Sequence, residues 1–256
     1  MIFNFDNIPI YYENMGKGPA VVLLHGFLES STMWKPLLPQ LSKNHFVITL
    51  DFPGHGKSGV ISETHTMEMM AEVLHKLLKE LHIESATFIG HSMGGYVALA
   101  YAELYGPEVE KLILLNSTAA ADTEERKDNR DRSIDIVGKV PEAYISMAIG
   151  NLFAESSREK FAFEIEALKN EANSFPVEGI QAAIRGMRDR KDRTEILKNF
   201  RGKKYLIVAK EDPILPLSDL EILTKDSNIS TQIIEGGHMS LIENFEEVSH
   251  YLHLIV

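Results

Sequence analysis

Ala86-Thr87-Phe88-Ile89-Gly90-His91-Ser92-Met93-Gly94-Gly95-Tyr96-Val97-Ala98-Leu99-Ala100 is the stretch that decides the fold. A short run of strand-forming residues gives way to a serine framed by glycines, and then to small and apolar residues of helical character. A chain that turns from strand to helix around one residue must bend sharply there, with strained backbone angles at Ser92. Gly90 and Gly94 have no Cβ, so the strand and the helix can approach each other closely around the bend. Ser92 is then displayed at the tip with its Oγ exposed. The helix that starts just after it aims backbone N–H groups and its positive dipole end at the same point. This is the G-x-S-x-G pattern in the strand–turn–helix setting it requires, and it makes Ser92 the candidate nucleophile.

Outward from this elbow, short apolar runs alternate with helical patterns. Strands are predicted at Ile2–Phe5, Ile8–Glu13, Ala20–Leu24, Phe46–Asp51, Ala86–Ile89, Lys111–Asn116, Tyr205–Ala209 and Thr231–Ile234. The first two form a hairpin turned at Asp6-Asn7. Helices are predicted at Ser31–Ser42, Thr66–Leu81, Gly94–Leu104, near Leu217–Thr224 and from Ile242 to Ile255, each with apolar residues at helical spacing. Strands alternating with helices imply a mostly parallel sheet with helices on both faces. From Ser117 to Phe200 the alternation stops and only helical patterns remain. The chain therefore divides into a core of residues 1–116 and 201–256 and a helical cap inserted at 117–200. In open parallel sheets ligands bind at the carboxyl ends of the strands, so the chemistry belongs in the loops that follow them.

Serine near neutral pH needs a base within reach. Of the ten histidines, His238 in Gly236-Gly237-His238-Met239 stands directly after the last strand and before the last helix. His75, His82, His250 and His253 belong to helices, and His45 to the start of a strand. His25, His55 and His91 sit in motif loops with other uses. A carboxylate that orients the imidazole and stabilises its protonated form is expected on another strand end. Asp212, in Lys210-Glu211-Asp212-Pro213 after the strand Tyr205–Ala209, fits that place better than Glu211, whose side chain points the other way. The order Ser92, Asp212, His238 is the one expected of this architecture. A tetrahedral intermediate needs two donors for its oxygen. The N–H of Met93 supplies one and the N–H of Phe27, in His25-Gly26-Phe27-Leu28 after another strand, supplies the other. Trp34, Ile214, Leu215 and Met239, with Met147 and Phe153 from the cap, are candidate lining for an apolar substrate pocket.

The bulk properties narrow the function classes. A net charge of −11 argues against nucleic acid or an anionic membrane as partner. With no cysteine in the chain, disulfides and thiolate chemistry are excluded. The N-terminus does not read as a signal peptide, and no apolar run reaches the roughly 18 residues of a membrane span. A cytoplasmic enzyme acting on a small molecule is the expectation.

Together, His25-Gly26-Phe27, Asp51-Phe52-Pro53-Gly54-His55-Gly56-Lys57-Ser58, Gly90-His91-Ser92-Met93-Gly94-Gly95, Glu211-Asp212-Pro213 and Gly237-His238 resemble the α/β-hydrolase superfamily, in particular its small serine esterase and haloperoxidase-like members. The resemblance implies an eight-stranded, mostly parallel sheet and a triad that needs no metal or organic cofactor. A serine at the elbow sets the chain apart from the dehalogenases and epoxide hydrolases of this fold, which use aspartate. The chain departs from the pattern at Glu243-Asn244-Phe245, where these proteins often carry Glu-x-Pro. The expected reaction is cleavage of a carboxylic ester or related acyl bond through an acyl-serine. A lyase or carbon–carbon bond hydrolase acting on an anionic substrate is the alternative, with Arg185, Arg188, Arg190 and Arg193 as candidate cap cations. A ligand receptor that keeps the fold is a third reading.

Overall fold

The computed structural model describes residues 1–218, 223–224 and 227–256, so the helix expected near Leu217–Thr224 falls largely outside the described residues. The strands are β1 (Ile2–Phe5), β2 (Ile8–Met15), β3 (Ala20–Leu24), β4 (Phe46–Leu50), β5 (Ala86–His91), β6 (Val109–Leu115), β7 (Lys203–Ala209) and β8 (Ser230–Ile234). They form one sheet in the order β1-β2-β4-β3-β5-β6-β7-β8. β1 and β2 pair antiparallel, as do β2 and β4, and every later pair is parallel. Asp6 and Asn7 both have positive φ, 49° and 68°. Such a two-residue turn matches the right-handed twist of the strands it joins.

β3 explains why the central strands read as unbroken apolar runs. Side chains alternate between the faces of a sheet, and here both faces are covered. Val22 and Leu24 enter one core with Met70, Leu74, Tyr96 and Val97, whereas Val21 and Leu23 enter a second with Trp34, Leu41, Val248 and Leu252. The first core is closed by α2 (Met67–Glu80) and α3 (Met93–Tyr105), the second by α1 (Leu38–Leu41) and the terminal helix Phe245–Ile255.

Two predicted helices are broken. In place of one helix over 31–42 there is a 3-10 turn at Ser31–Trp34, followed by the single turn α1. Pro36 and Pro39 remove the amide donors that a continuous helix needs. The last helix is interrupted at Asn244, whose φ of −143° and ψ of 51° separate Ser240–Glu243 from Phe245–Ile255. α2 begins as its sequence suggests, with the Thr66 hydroxyl accepting the Met69 N–H at 3.1 Å. Thr66→Ala leaves that N–H without its cap and is expected to cost about 1 kcal/mol, measurable as a lower urea midpoint at constant slope.

Between β6 and β7 the chain forms five helices: α4 (Glu124–Lys139), α5 (Pro141–Gly150), α6 (Ala162–Ala172), α7 (Val177–Arg188) and α8 (Thr194–Asn199). The two ends of this segment are tied to each other. Arg193 N–H donates to the Ala119 carbonyl at 2.7 Å, and Arg190 Nε to the Ala120 carbonyl at 3.1 Å. Among the described residues no helix is long and apolar enough to cross a membrane.

Candidate active site

Parallel register brings the informative loops to one edge of the sheet. Leu24 pairs with Gly90, Gly90 with Leu114, Leu115 with Ile207 and Ala209 with Ile234. The residues that follow these strand ends therefore converge. At the end of β5 Ser92 has φ 49° and ψ −116°, a conformation non-glycine residues rarely adopt. Three hydrogen bonds hold it there. Its N–H donates to the Leu115 carbonyl at 3.0 Å, and its carbonyl accepts from Gly95 N–H at 2.9 Å and from Ser117 Oγ at 2.7 Å. The close approach inferred for the two glycines is real. A Cβ on Gly90 would stand 2.5 Å from the Gly94 carbonyl, and one on Gly94 would stand 2.2 Å from the Leu24 carbonyl oxygen.

His238 and Asp212 meet below the elbow. His238 Nδ1 lies 2.8 Å from Asp212 Oδ2, and both side chains are buried. Asp212 Oδ1 accepts the N–H groups of Ile214 at 2.8 Å and Leu215 at 3.0 Å, while Oδ2 also accepts Asn116 Nδ2 at 3.0 Å. Burial pushes this carboxyl up, but the positive charge that His238 carries when protonated, together with the hydrogen bonds, outweighs burial and holds its pKa below the ordinary value. Asn116 is a participant that sequence reading missed. It takes φ 44° at the end of β6, and its Oδ1 accepts the Ser240 hydroxyl at 2.6 Å. The His238 N–H donates to the Leu152 carbonyl at 2.9 Å, so its loop is anchored to the helical segment. With Nδ1 engaged by the carboxylate, Nε2 is the ring nitrogen left for chemistry. It is not hydrogen-bonded to Ser92 Oγ, although both residues line one cavity. In enzymes, hydrogen bonds between a nucleophile and its base are often loose until substrate is bound.

The loop after β3 is held from both sides. His25 Nε2 accepts the Phe52 N–H at 2.8 Å, which leaves the proton on Nδ1, 2.7 Å from the Gly26 carbonyl. Burial lowers the pKa of this histidine and keeps it neutral. The Gly26 N–H donates to Glu29 Oε2 at 2.6 Å, and Leu28 takes φ 61°. Phe27 lines the cavity. Met93 opens α3, where helix geometry offers its N–H no partner within the helix. Among the described residues neither the Phe27 nor the Met93 N–H is donated to a protein acceptor.

The cavity has a volume of about 440 Å³ and is walled by Phe27, Ser92, Tyr96, Tyr144, Met147 and Ile214 among others. A larger hollow of about 600 Å³ lies at the far end of α3, near Pro107 and Phe200, and contains none of these groups. Met147 and Ile214 are where sequence analysis put them. Trp34, Leu215, Met239 and Phe153 are buried and do not line the cavity. Trp34 follows the 3-10 turn into the core on the opposite face of the sheet. Phe153 and Met239 pack into the core on the face of α3. Leu215 is held by the hydrogen bond of its N–H to Asp212. Of the candidate cap cations, Arg188 pairs with Asp131 and Asp189, Arg190 with Asp122, and Arg193 with Glu68 and Glu103. Arg185 donates to the Glu63 carbonyl. None of the four lines the cavity. Arg130, not singled out from sequence, does, and its Nε is held by Asp122 at 3.1 Å.

A profile of the α/β-hydrolase fold matches residues 19–245. The chain belongs to the α/β-hydrolase family. The structure of this α/β-hydrolase superposes on that of a thermophilic esterase from Thermogutta terrifontis with a TM-score of 0.91 at 33% identity, over 96% of this chain and 92% of that one. In sequence it is 28% identical to a putative carbamate hydrolase RutD of Yersinia enterocolitica over 252 residues, 95% of this chain and 90% of that protein. It is 26% identical to 3-oxoadipate enol-lactonase 1 of Acinetobacter baylyi over 234 residues, 90% and 85% of the two chains. Beside the departure at Phe245, Glu243 keeps the glutamate of the pattern and accepts the Ala154 N–H at 3.1 Å and the Ser157 hydroxyl. That residue ties the helical segment to the loop of His238.

Proposed function

We propose that this α/β-hydrolase cleaves carboxylic esters through an acyl-serine intermediate, with Ser92 as nucleophile, His238 as base and acid, and Asp212 as the carboxylate that orients His238. The observation that carries this reading is the buried His238–Asp212 pair at 2.8 Å, whose imidazole lines the same cavity as Ser92. Ser92 Oγ attacks the acyl carbon and its proton passes to His238 Nε2. The carbonyl electron pair moves onto oxygen, where the N–H groups of Phe27 and Met93 receive it. Each such donor is worth roughly 3 kcal/mol in the transition state. Collapse expels the alkoxide, which takes the proton from Nε2. Water then repeats the sequence on the acyl-serine, releasing the acid and restoring the hydroxyl. The helical segment 117–200 serves as a cap that supplies the distal wall of the pocket, so acyl preference is set by Tyr144 and Met147. No metal or organic cofactor enters, and the substrate is a small acyl compound. Nucleic acid and membrane are not partners in this reading, and its setting is the cytoplasm.

The test is reaction with a fluorophosphonate alongside a panel of p-nitrophenyl esters of graded acyl length, extended to thioesters, lactones and anionic substrates. The expected result is one covalent adduct at Ser92 and multiple turnover on short esters. Labelling without turnover on any substrate would favour a receptor. Turnover confined to anionic substrates without an acyl-serine would favour the lyase reading.

A further inference from the structure

His91 precedes the nucleophile and takes no part in the mechanism above, yet it is buried between three parts of the site. Its Nδ1 lies 3.0 Å from Glu29 Oε2 and its Nε2 lies 2.9 Å from the carbonyl oxygen of His238. A neutral imidazole donates from one nitrogen and accepts at the other. Here both partners are acceptors when Glu29 is ionised: the carbonyl oxygen has no proton, and the carboxylate oxygen Oε2 accepts the Gly26 N–H at 2.6 Å as well. With Glu29 ionised, only a ring protonated on both nitrogens satisfies this arrangement; a protonated Glu29 beside a neutral His91 is the competing state, and it leaves one protonated ring nitrogen instead of two.

We propose that His91 is held as an imidazolium by Glu29 and the His238 carbonyl, and that this buried ion pair is a positioning device that fixes the His238 loop and the Phe27 loop relative to Ser92. The positioning role rests on the triad reading above; the charge state does not. Each end of the pair grips a different functional loop. Glu29 fixes Gly26, the residue before Phe27, and His91 fixes the main chain of His238. The rings of His91 and His238 stand 5.1 Å apart, centroid to centroid. The pair places no net charge there, so neither member disturbs an oxyanion as an isolated buried carboxylate would. The titratable groups facing it are Asp212 and His238 on the side of His91, and His25 on the side of Glu29. The energetics agree in direction. Burial pulls the pKa of His91 down, but the carboxylate of Glu29, its hydrogen bond, the His238 carbonyl and the charge of Asp212 together raise it above the ordinary value. Burial pushes Glu29 up, and the charge of His91 with the hydrogen bonds brings it below its ordinary value.

Glu29→Gln cannot repair the network. One oxygen serves both Gly26 and His91, so a neutral His91 that donates to glutamine leaves the His238 carbonyl without its donor. A His91 that donates to the carbonyl loses its bond to position 29. Nitrogen-15 NMR of the full chain decides the charge state directly, with His91 assigned by the resonance lost in His91→Gln. The expected result is two protonated ring nitrogens at about pH 8, where an unperturbed histidine is neutral. A single protonated nitrogen there overturns the proposal, whatever the enzyme acts on. On p-nitrophenyl esters Glu29→Gln is expected to lower kcat/KM by roughly tenfold or more, chiefly in kcat, and Glu29→Asp to restore most of it. Unchanged kcat/KM in Glu29→Gln overturns the positioning role.

Stability against pH gives a third arm. With its pKa raised on folding, His91 contributes stability that is complete below about pH 6.5 and is lost as pH rises through its folded value. The wild-type melting temperature is expected to fall across that window, and Glu29→Gln to flatten the slope. A slope unaltered by Glu29→Gln would assign it to other groups and overturn the pairing. If no ester is turned over by the wild-type protein, the function proposed above fails while the NMR arm still reads the charge of His91.

Discussion

Ser92→Ala is expected to reduce kcat on p-nitrophenyl esters by about 10⁶-fold while leaving the melting temperature within a few degrees of wild type. On the acyl-serine reading the loss is large because the hydroxyl is the group that forms and breaks the covalent bond, and a cavity without it would retain only binding and oxyanion stabilisation. Those residual terms are worth about 10³–10⁴ over water. The small stability change follows from the local structure. Alanine keeps the Cβ, so the strained φ of 49° is no worse tolerated. The hydrogen bonds that impose it run through the backbone N–H and carbonyl, which alanine keeps. The hydroxyl makes no hydrogen bond to a described group, so its removal orphans no described buried partner. Fluorophosphonate labelling should disappear with turnover. If Ser92→Ala kept more than about one hundredth of the activity, covalent catalysis at the elbow would be wrong.

How much of this site could be read from the chain depended on how local the cause was. The strands Ile2–Phe5 and Ala20–Leu24 were legible to the residue, because a hairpin turn and a strand buried on both faces leave marks in consecutive side chains. Ser92 was legible for the same reason: the glycines that let strand and helix approach lie within two residues of it. Asp212 and His238 were placed by the rule that chemistry follows strand ends. Their pairing joins positions 26 residues apart, however, and only the fold supplies it. Asn116 and Glu29 escaped because their partners lie 96 and 62 residues away, and nothing beside them in sequence points there. Trp34, a candidate for the pocket, lies in the core instead. Pro36 and Pro39 shorten the helix around it, and the indole turns to the other face of the sheet. Segment 117–200 was legible as helical, but its share in the cavity was not. Which of its residues face Ser92 depends on how α4, α5 and α7 pack, and amphipathic spacing does not specify that.

Asp212→Asn is the more discriminating substitution, expected to lower kcat by about 10⁴-fold in a protein that still folds. The argument is one of donors and acceptors. Asp212 Oδ1 accepts two backbone N–H groups, from Ile214 and Leu215. Asparagine can keep both only by placing its oxygen there, which sets its NH₂ where Oδ2 now stands, facing His238 Nδ1 and Asn116 Nδ2. Asn116 can adapt. Turning its amide over presents oxygen to the new NH₂, and the Ser240 hydroxyl, now a donor to Asn116, becomes an acceptor. His238 can adapt only by accepting at Nδ1, and a neutral imidazole then carries its proton on Nε2. On the proposed mechanism that is the nitrogen that must receive the proton of Ser92, so the base would be blocked while the geometry survives. The loss should appear in kcat far more than in KM. The rate should recover in part at high pH, where hydroxide can take the proton of Ser92 in place of the blocked imidazole. The acid side offers an independent check. Because folding lowers the pKa of Asp212, the wild type carries stability from this group above about pH 4 that is lost as pH falls through the folded value. The asparagine variant should lack that part of the acid transition. An Asp212→Asn protein with wild-type kcat would mean that another carboxylate, Glu211 first among them, orients His238 during turnover.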